Sequence, residues 1–169
     1  MLIRRENEID AAAIRAVHAA AFGQALEGDL VDALRAEMLS DVSLVAEQHG
    51  TLVGHALLSR VEMIVEGRSL RAAALGPVAV IPELQNQGIG SALISQALDV
   101  AKGMGIGVVV VLGHTAYYPR FGFSAERART LASPYTSHGD AWMVAELLSG
   151  TLPAGTGTVA FPAPWAMFD

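Results

Sequence analysis

Seven consecutive residues, Gln85, Asn86, Gln87, Gly88, Ile89, Gly90 and Ser91, combine side-chain amides, two glycines and a hydroxyl immediately ahead of an amphipathic run. A helix N-terminus leaves backbone N–H groups without intrahelical partners and carries a partial positive charge. Glycines at 88 and 90 remove two Cβ atoms from the approach to those groups, so such a turn can hold a pyrophosphate with no Lys or Arg beside it. The same two glycines also suit a plain helix start packed on a strand. A dinucleotide fingerprint would need a third glycine at 93, where Leu93 stands. Gly103, Gly105 and Gly107 close a helix and enter a strand, the wrong polarity for phosphate. No Gly-Lys-Ser/Thr occurs, which excludes a P-loop. The five histidines have no metal-ligand spacing, and no metal is expected.

The elements that must position this turn follow from hydrophobic period. Leu2–Arg4 reads as a first strand. Ile9 to Phe22 reads as a helix with Ile9, Ala13, Ile14, Val17, Ala20 and Ala21 on its apolar stripe and Asp10 as its cap, and Leu26–Met38 as a second helix. The period then becomes strand-like: Leu44–Glu47 and Thr51–Met63 form a hairpin about His49–Gly50, and Arg68–Val80 is a third extended segment stopped by Pro82. Gly88 to Lys102 is a helix. Val108–Leu112 is a β-branched run of the kind buried on both faces of a sheet. A short helix or turn spans Tyr117–Phe121, a strand is expected near Phe123 and another over Ala141–Leu147, and the Gly- and Pro-rich tail Gly150–Asp169 adds an edge strand near Thr158–Phe161. The order predicts an α/β (α+β) fold: a mixed, mostly antiparallel sheet with helices on its faces. One domain over residues 1–149 is expected, with the tail packed on it.

Composition narrows the functions. The 169 residues suit a single hydrophobic core, and 52% hydrophobic with 17% charged excludes a disordered polyelectrolyte. A net charge of −6 argues against nucleic acid or an anionic membrane as partner. The absence of cysteine removes disulfides, thiolate metal sites and a thiol nucleophile, and fits a reducing compartment. The N-terminus MLIRRENEID has no apolar stretch after its basic pair, and no run approaches the ~20 residues of a membrane helix. A cytoplasmic protein is expected.

Gln85-x-x-Gly88-x-Gly90 after the strand end Val78-Ala79-Val80, followed by helix, strand and Tyr118-Pro-Arg-Phe-Gly122-Phe123, resembles the GNAT family of N-acetyltransferases. The string Gly113-His-Thr-Ala-Tyr-Tyr-Pro-Arg-Phe-Gly-Phe resembles a bacterial subgroup with Tyr-Tyr-x-Arg-Phe-Gly-Phe, and the likeness runs from Leu2 to about Leu147. It implies acetyl transfer from acetyl-CoA, a cosubstrate, to an amine of a small molecule or peptide, by direct transfer. The rival reading is a catalytically silent acyl-CoA-binding regulatory module.

The resemblance also assigns residues. It places a splaying β-bulge near Gly76–Val78, with backbone groups of Val78, Ala79 and Val80 pairing the pantetheine arm, as an added strand would. Gln85 through Ser91 would hold the pyrophosphate. Many relatives have a basic residue where Gln87 stands. Tyr118, four residues before Gly122, aligns with the general acid that protonates the leaving thiolate, with Tyr117 as competitor. His114 stands where many relatives carry a cofactor-contacting Asn; a structural hydrogen bond is the alternative. Tyr117, Tyr118 and Phe121 would line the cofactor, although Phe121 and Phe123 also suit a buried core. Leu75–Ile81 contains no acid for a general base, which leaves Glu27 and His55 as candidates, each also explicable as structural. The acceptor and the oligomeric state, a homodimer included, stay open.

Overall fold

The computed structural model describes residues 1–169. The element order is β1(Leu2–Arg5), α1(Ala11–Phe22), α2(Leu26–Ala36), β2(Ser40–Gln48), β3(Thr51–Val65), β4(Arg68–Val80), α3(Ile89–Gly103), β5(Val108–Leu112), α4(Ala125–Ala128), β6(Leu131–Ala132), β7(Trp142–Glu146) and β8(Gly157–Ala160), with short 3₁₀ turns between. The strands follow the order β1-β2-β3-β4-β5-β7, with β8 pairing β3 and β6. Only β4–β5 and β6–β8 are parallel. The architecture is mixed α/β with a mostly antiparallel sheet.

Residues 1–59, 76–100 and 164–169 form one compact unit, and 60–75 with 101–163 form another. In the first, β2 pairs β1 and the N-terminal part of β3 antiparallel, with Ile3 opposite Ala46 and His55 opposite Val45. Alternation along β3 then decides what each face meets. Leu57, with Val45 from β2, packs on Ile14, Leu30, Val31 and Leu34 from α1 and α2. Gly54 points the other way, and a Cβ there would come within 2.9 Å of Leu93 and 3.3 Å of Ile89 on α3. Helices therefore cover both faces of this part of the sheet. The missing side chain at 54 lets α3, with Leu93 and Ile94 fully buried, lie close to the strand.

In the second unit, β5 pairs β4 over Ala72–Ala74 and β7 over its whole length. Val108 to Val111 are buried, as a run flanked by strands on both sides requires. β8 joins β3 at Glu62–Val65 and β6 at Leu131–Ala132. The expected edge strand is thus paired on both sides. The strand expected near Phe123 is not one: Ser124 makes a single bridge to Val144 and the chain turns at once into α4, with the Ser124 hydroxyl accepting the Arg127 N–H at 3.1 Å.

Two helical stripes also differ from expectation. Ile9 is 88% exposed, and the buried stripe of α1 is Ile14, Val17 and His18. Asp10 accepts the backbone N–H of Asn7 at 2.7 Å and pairs with Arg4, so it closes the turn before α1 and makes no side-chain cap on α1 itself. Helix α2 stops at Ala36, and Met38, at positive φ, is exposed.

Candidate active site

The site residues expected from sequence fall into two groups, one in each unit. In the first unit, β4 runs to Val80 and a 3₁₀ turn over Pro82–Leu84 leads into the glycine turn. Gly76 has φ 138°, the Gly76–Pro77 peptide is cis, and Pro77 has no N–H to give to a ladder. The backbone at Gly76 thus departs from regular strand dihedrals at the place where the resemblance puts a bulge. Gly76, Pro77 and Val78 are half-exposed, whereas Ala79 and Val80 are buried. The Ile81 N–H donates to the Val53 carbonyl at 2.9 Å and anchors the end of β4 on β3.

The Gln85 side chain donates its Nε2–H to the Val80 carbonyl at 2.9 Å. That bond ties the glycine turn to the strand end, a positioning role the sequence did not suggest for this amide. Gln87 Nε2 reaches the Glu83 carbonyl at 3.4 Å. Asn86 and Gly88 have positive φ, 62° and 87°, and nothing lies within 4 Å of where a Gly88 Cβ would stand. The first bond inside α3 runs from the Ala92 N–H to the Gly88 carbonyl, at 3.0 Å. N–H groups at the start of such a helix point outward along its axis. The turn thus offers helix-start N–H groups with no Cβ at Gly88 and Gly90, an arrangement that fits a diphosphate.

Two candidate bases lie in the same unit. Glu27, in the first turn of α2, is buried and accepts both contacts of the Gln24 amide, at 2.9 and 3.2 Å. His55 is fully buried, with Nε2 at 2.8 Å from Ser43 Oγ and Nδ1 at 2.8 Å from His18 Nε2. His18 was not singled out from the sequence. The signal was there, because position 18 falls on the i, i+4 core stripe that begins at Ile14.

In the second unit, β5 leads through Gly113 and His114 into a 3₁₀ turn over Tyr118–Phe121, closed by Gly122 at φ 93°. The His114 carbonyl accepts the N–H groups of both Tyr117 (3.1 Å) and Tyr118 (3.2 Å), while its side chain is exposed. Tyr118 packs edge-on to Tyr117 (5.2 Å) and Phe123 (5.8 Å), and Phe121 packs on Tyr117 (5.3 Å). Phe123 is buried as core; Phe121 is half-buried. The Arg120 guanidinium lies 4.5 Å from the Tyr117 ring centroid and donates to the Tyr117 carbonyl, which gives it a local partner. Burial, followed by the neighbouring Tyr117, pushes the Tyr118 phenol up to about 12. It is a neutral O–H donor at every physiological pH.

No group of three or more His, Asp or Glu side chains could hold a metal ion, and no helix is long and apolar enough to cross a membrane.

Residues 2–125 match the family model of the acetyltransferase (GNAT) domain. The chain is 33% identical over 162 residues to the N-acetyltransferase YhbS of Escherichia coli, covering 95% of this chain and 96% of that one. The crystal structure of that Escherichia coli protein in complex with CoA superposes with a TM-score of 0.90 at 31% identity, over 99% of this chain and 93% of the other. A GNAT family acetyltransferase of Brucella melitensis, solved in complex with acetyl-CoA, matches with a TM-score of 0.80 at 36% identity over 97% of both chains.

Proposed function

We propose, from the premise that this chain belongs to the GNAT acetyltransferase family, that it moves an acetyl group from acetyl-CoA to an amine of a small molecule or peptide by direct transfer. The observation that carries the reading is the Cβ-free turn at Gly88, at a helix start and tied to the end of β4 by Gln85. Its relatives' complexes with CoA and acetyl-CoA support the same assignment. Acetyl-CoA supplies an activated thioester. Backbone groups of Gln85, Asn86, Gln87, Gly88, Ile89, Gly90 and Ser91 hold its pyrophosphate. Val78, Ala79 and Val80 offer backbone to the pantetheine and polarise the thioester carbonyl. His114, Tyr117 and Phe121 line the cofactor.

Tyr118 is the residue assigned to the leaving sulfur. A phenol at about 12 is a weaker acid than an ordinary thiol near 8.5. Its contribution is therefore a hydrogen bond that stabilises the developing thiolate charge as the C–S bond breaks, and the departed thiolate takes its proton from solvent. Overall an ammonium and a thioester give an amide, a thiol and one released proton. The carrier of that proton is a separate question, for which Glu27 is one candidate.

The cytoplasm is the proposed compartment and a bacterium the proposed source; a homodimer is compatible with the reading. Thiol release from acetyl-CoA across a panel of primary amines and free-amino-terminal peptides tests it, with CoA binding measured in parallel by calorimetry. Acetylation of at least one amine is expected. CoA binding with no turnover on any of them would favour a silent acyl-CoA-binding module, the reading kept alive by the lack of an acid on Leu75–Ile81.

A further inference from the structure

Gly76 is the only glycine in β4, and one side chain from the far end of the sequence stands over it. Its chain neighbours aside, the only heavy atom within 4 Å of where a Gly76 Cβ would lie is Trp165 Cη2, at 3.8 Å. Gly76, Pro77 and Val78 are half-exposed. The corner where β4 leaves regular dihedrals is thus bare backbone with an indole edge on one side.

The tryptophan is firmly held. It lies in the 3₁₀ turn Ala163–Phe168, donates its N–H to Ser59 Oγ at 3.3 Å and packs on the cluster that joins α1 and α2 to β3. Strand alternation tells which face this is. Gly54 turns toward α3, and Leu57 turns toward α1 and α2. Ser59, two residues beyond Leu57 and fully buried, shares the Leu57 face. Trp165 therefore stands on the side of α1 and α2, opposite the side that α3 covers.

That placement bears on the reaction. In the transferase reading the pyrophosphate sits at the glycine turn before α3, and the pantetheine arm runs back along Val80, Ala79 and Val78. The Gln85 bond to the Val80 carbonyl fixes where this path meets the strand. Continued along β4, at about 3.3 Å per residue, the path carries the acyl end toward Gly76. Helix α3 occupies one face there, so the acceptor comes from the other, past Trp165.

We propose that Trp165 is the acceptor-side wall of the thioester site and selects a primary amine carried on an apolar, preferentially aromatic, skeleton. The inference rests on the transferase reading above. The part of the indole turned to Gly76 is its Cη2 edge, which carries the positive end of the ring quadrupole. Such an edge suits the face of an aryl group, whereas an ammonium is drawn to an indole face. Phe168, 6.3 Å from Trp165 between centroids and 39% exposed, extends the aromatic surface. Asp169, exposed, is the only acid between residues 163 and 169. A single solvated carboxylate gives a polyamine little attraction. With its ring against Trp165, an arylalkylamine needs only a short arm to carry its nitrogen to the strand. Apolar walls with few polar groups are the usual lining of a small-molecule site.

Two measurements on the intact protein test this. In the acetylation assay, 2-phenylethylamine should have a KM at least about tenfold below those of spermidine and lysine amide. Trp165→Phe keeps a ring on the core but withdraws the edge from Gly76. It should narrow the KM ratio between methylamine and 2-phenylethylamine by about fivefold or more, with the calorimetric Kd for CoA within about twofold. Thermal melts confirm that the variant folds. Indole ¹H–¹⁵N spectra give a readout without turnover. The chain has two tryptophans, and the Phe variant assigns their cross-peaks. Added to the CoA complex, 2-phenylethylamine should shift the Trp165 cross-peak saturably and leave that of Trp142, buried and bonded to the Leu131 carbonyl, in place. A lower KM for spermidine or lysine amide, an unchanged ratio in the variant, or an unmoved Trp165 cross-peak overturns the proposal. If the unsubstituted protein acetylates no amine, the transferase reading falls, and the titration alone decides the wall: a saturable Trp165 shift sustains an arylalkylamine site and its absence removes it.

Discussion

Gly113 exists for Tyr118: a Cβ built on Gly113 would overlap the phenol ring, with Tyr118 Cδ2 only 2.8 Å away. The glycine is not there for backbone freedom, since its φ is outside the left-handed region. It leaves the space in which the ring lies edge-on to Phe123. Gly113→Ala should therefore push the ring out of place without straining the main chain. We expect thiol release to fall by roughly tenfold or more, since catalytic groups tolerate little displacement, with CoA affinity nearly unchanged. Equal losses in turnover and affinity would mean that Gly113 serves the fold of the loop instead.

Removing the hydroxyl alone is the cleaner experiment at the same place. Tyr118→Phe keeps the ring contacts with Tyr117 and Phe123. It should lower kcat on the order of 10²-fold while the calorimetric Kd for CoA moves less than about threefold. Because burial raises this phenol to about 12 from an ordinary value near 10, the folded state holds its proton more tightly than the unfolded state. Its contribution to stability is present below pH 10 and is lost as the pH rises from about 10 to 12. The Phe variant should lack that alkaline loss, which denaturant melts at pH 9 and 11 would detect. An unchanged kcat removes Tyr118 from the chemistry.

At the phosphate turn the test is steric in a different sense. Gly88 has φ 87° and open space where a Cβ would stand, so Gly88→Ala introduces backbone strain of about 1 kcal/mol but no internal clash. The added methyl group stands where a diphosphate would approach. CoA affinity should drop at least about tenfold, well beyond the stability loss, and 3′-dephospho-CoA should suffer in proportion because the pyrophosphate is the group affected. Affinity loss for CoA that spares the dephospho form would relocate the contact to the 3′-phosphate.

The C-terminal tail makes a prediction of its own. Trp165 donates its indole N–H to Ser59 at 3.3 Å, packs against the α1–α2 core and brings its ring edge within 3.8 Å of a Cβ at Gly76. Trp165→Ala should destabilise the fold by about 2 kcal/mol, less than a fully buried tryptophan because the ring is half-exposed. A melting temperature unchanged within a degree would show the tail to be dispensable.

How much of this was legible in the sequence depends on whether the signal was local. Arg68–Val80 and Val108–Leu112 end where expected because turn residues and Pro82 punctuate them. The glycine turn was readable because a phosphate site of this kind is built from one backbone segment. The strand expected at Phe123 failed because two residues on either side of a bridge have no period to read. β6, two residues long, was missed for the same reason. The pairing of β8 with β3 joins distant stretches of chain, and beside it the Glu66 N–H meets the Thr156 carbonyl across ninety positions. The hydrogen-bonded line from Glu6 through Ser43 and His55 to His18 shows the limit most clearly. Residues 18, 43 and 55 lie on three elements and Glu6 on the link after β1, and His18 occupies a position on the apolar stripe of α1 where its neighbours Ile14 and Val17 predict a hydrophobic residue.

That buried histidine should govern acid stability. His18 is fully buried and lowered to about 4 from an ordinary value of 6.5, with desolvation as the cause. The folded state therefore excludes a proton that the unfolded chain accepts. Stability associated with this group is present above about pH 6.5 and falls as the pH drops toward 4, by up to about 3 kcal/mol, because the unfolded state binds more protons over that window. His55, also lowered by burial, should steepen the decline. His18→Phe cannot titrate, so urea melts of this variant at pH 7 and pH 5 should differ less than those of the unsubstituted protein. At pH 7 it should be close to neutral or mildly destabilised, because it stacks on Phe22 as the imidazole does but leaves His55 Nδ1 without its hydrogen-bond partner. An undiminished acid sensitivity in the variant would shift the effect to the carboxylates, Asp10 first, whose pairing with Arg4 lowers it and makes its contribution vanish at still lower pH.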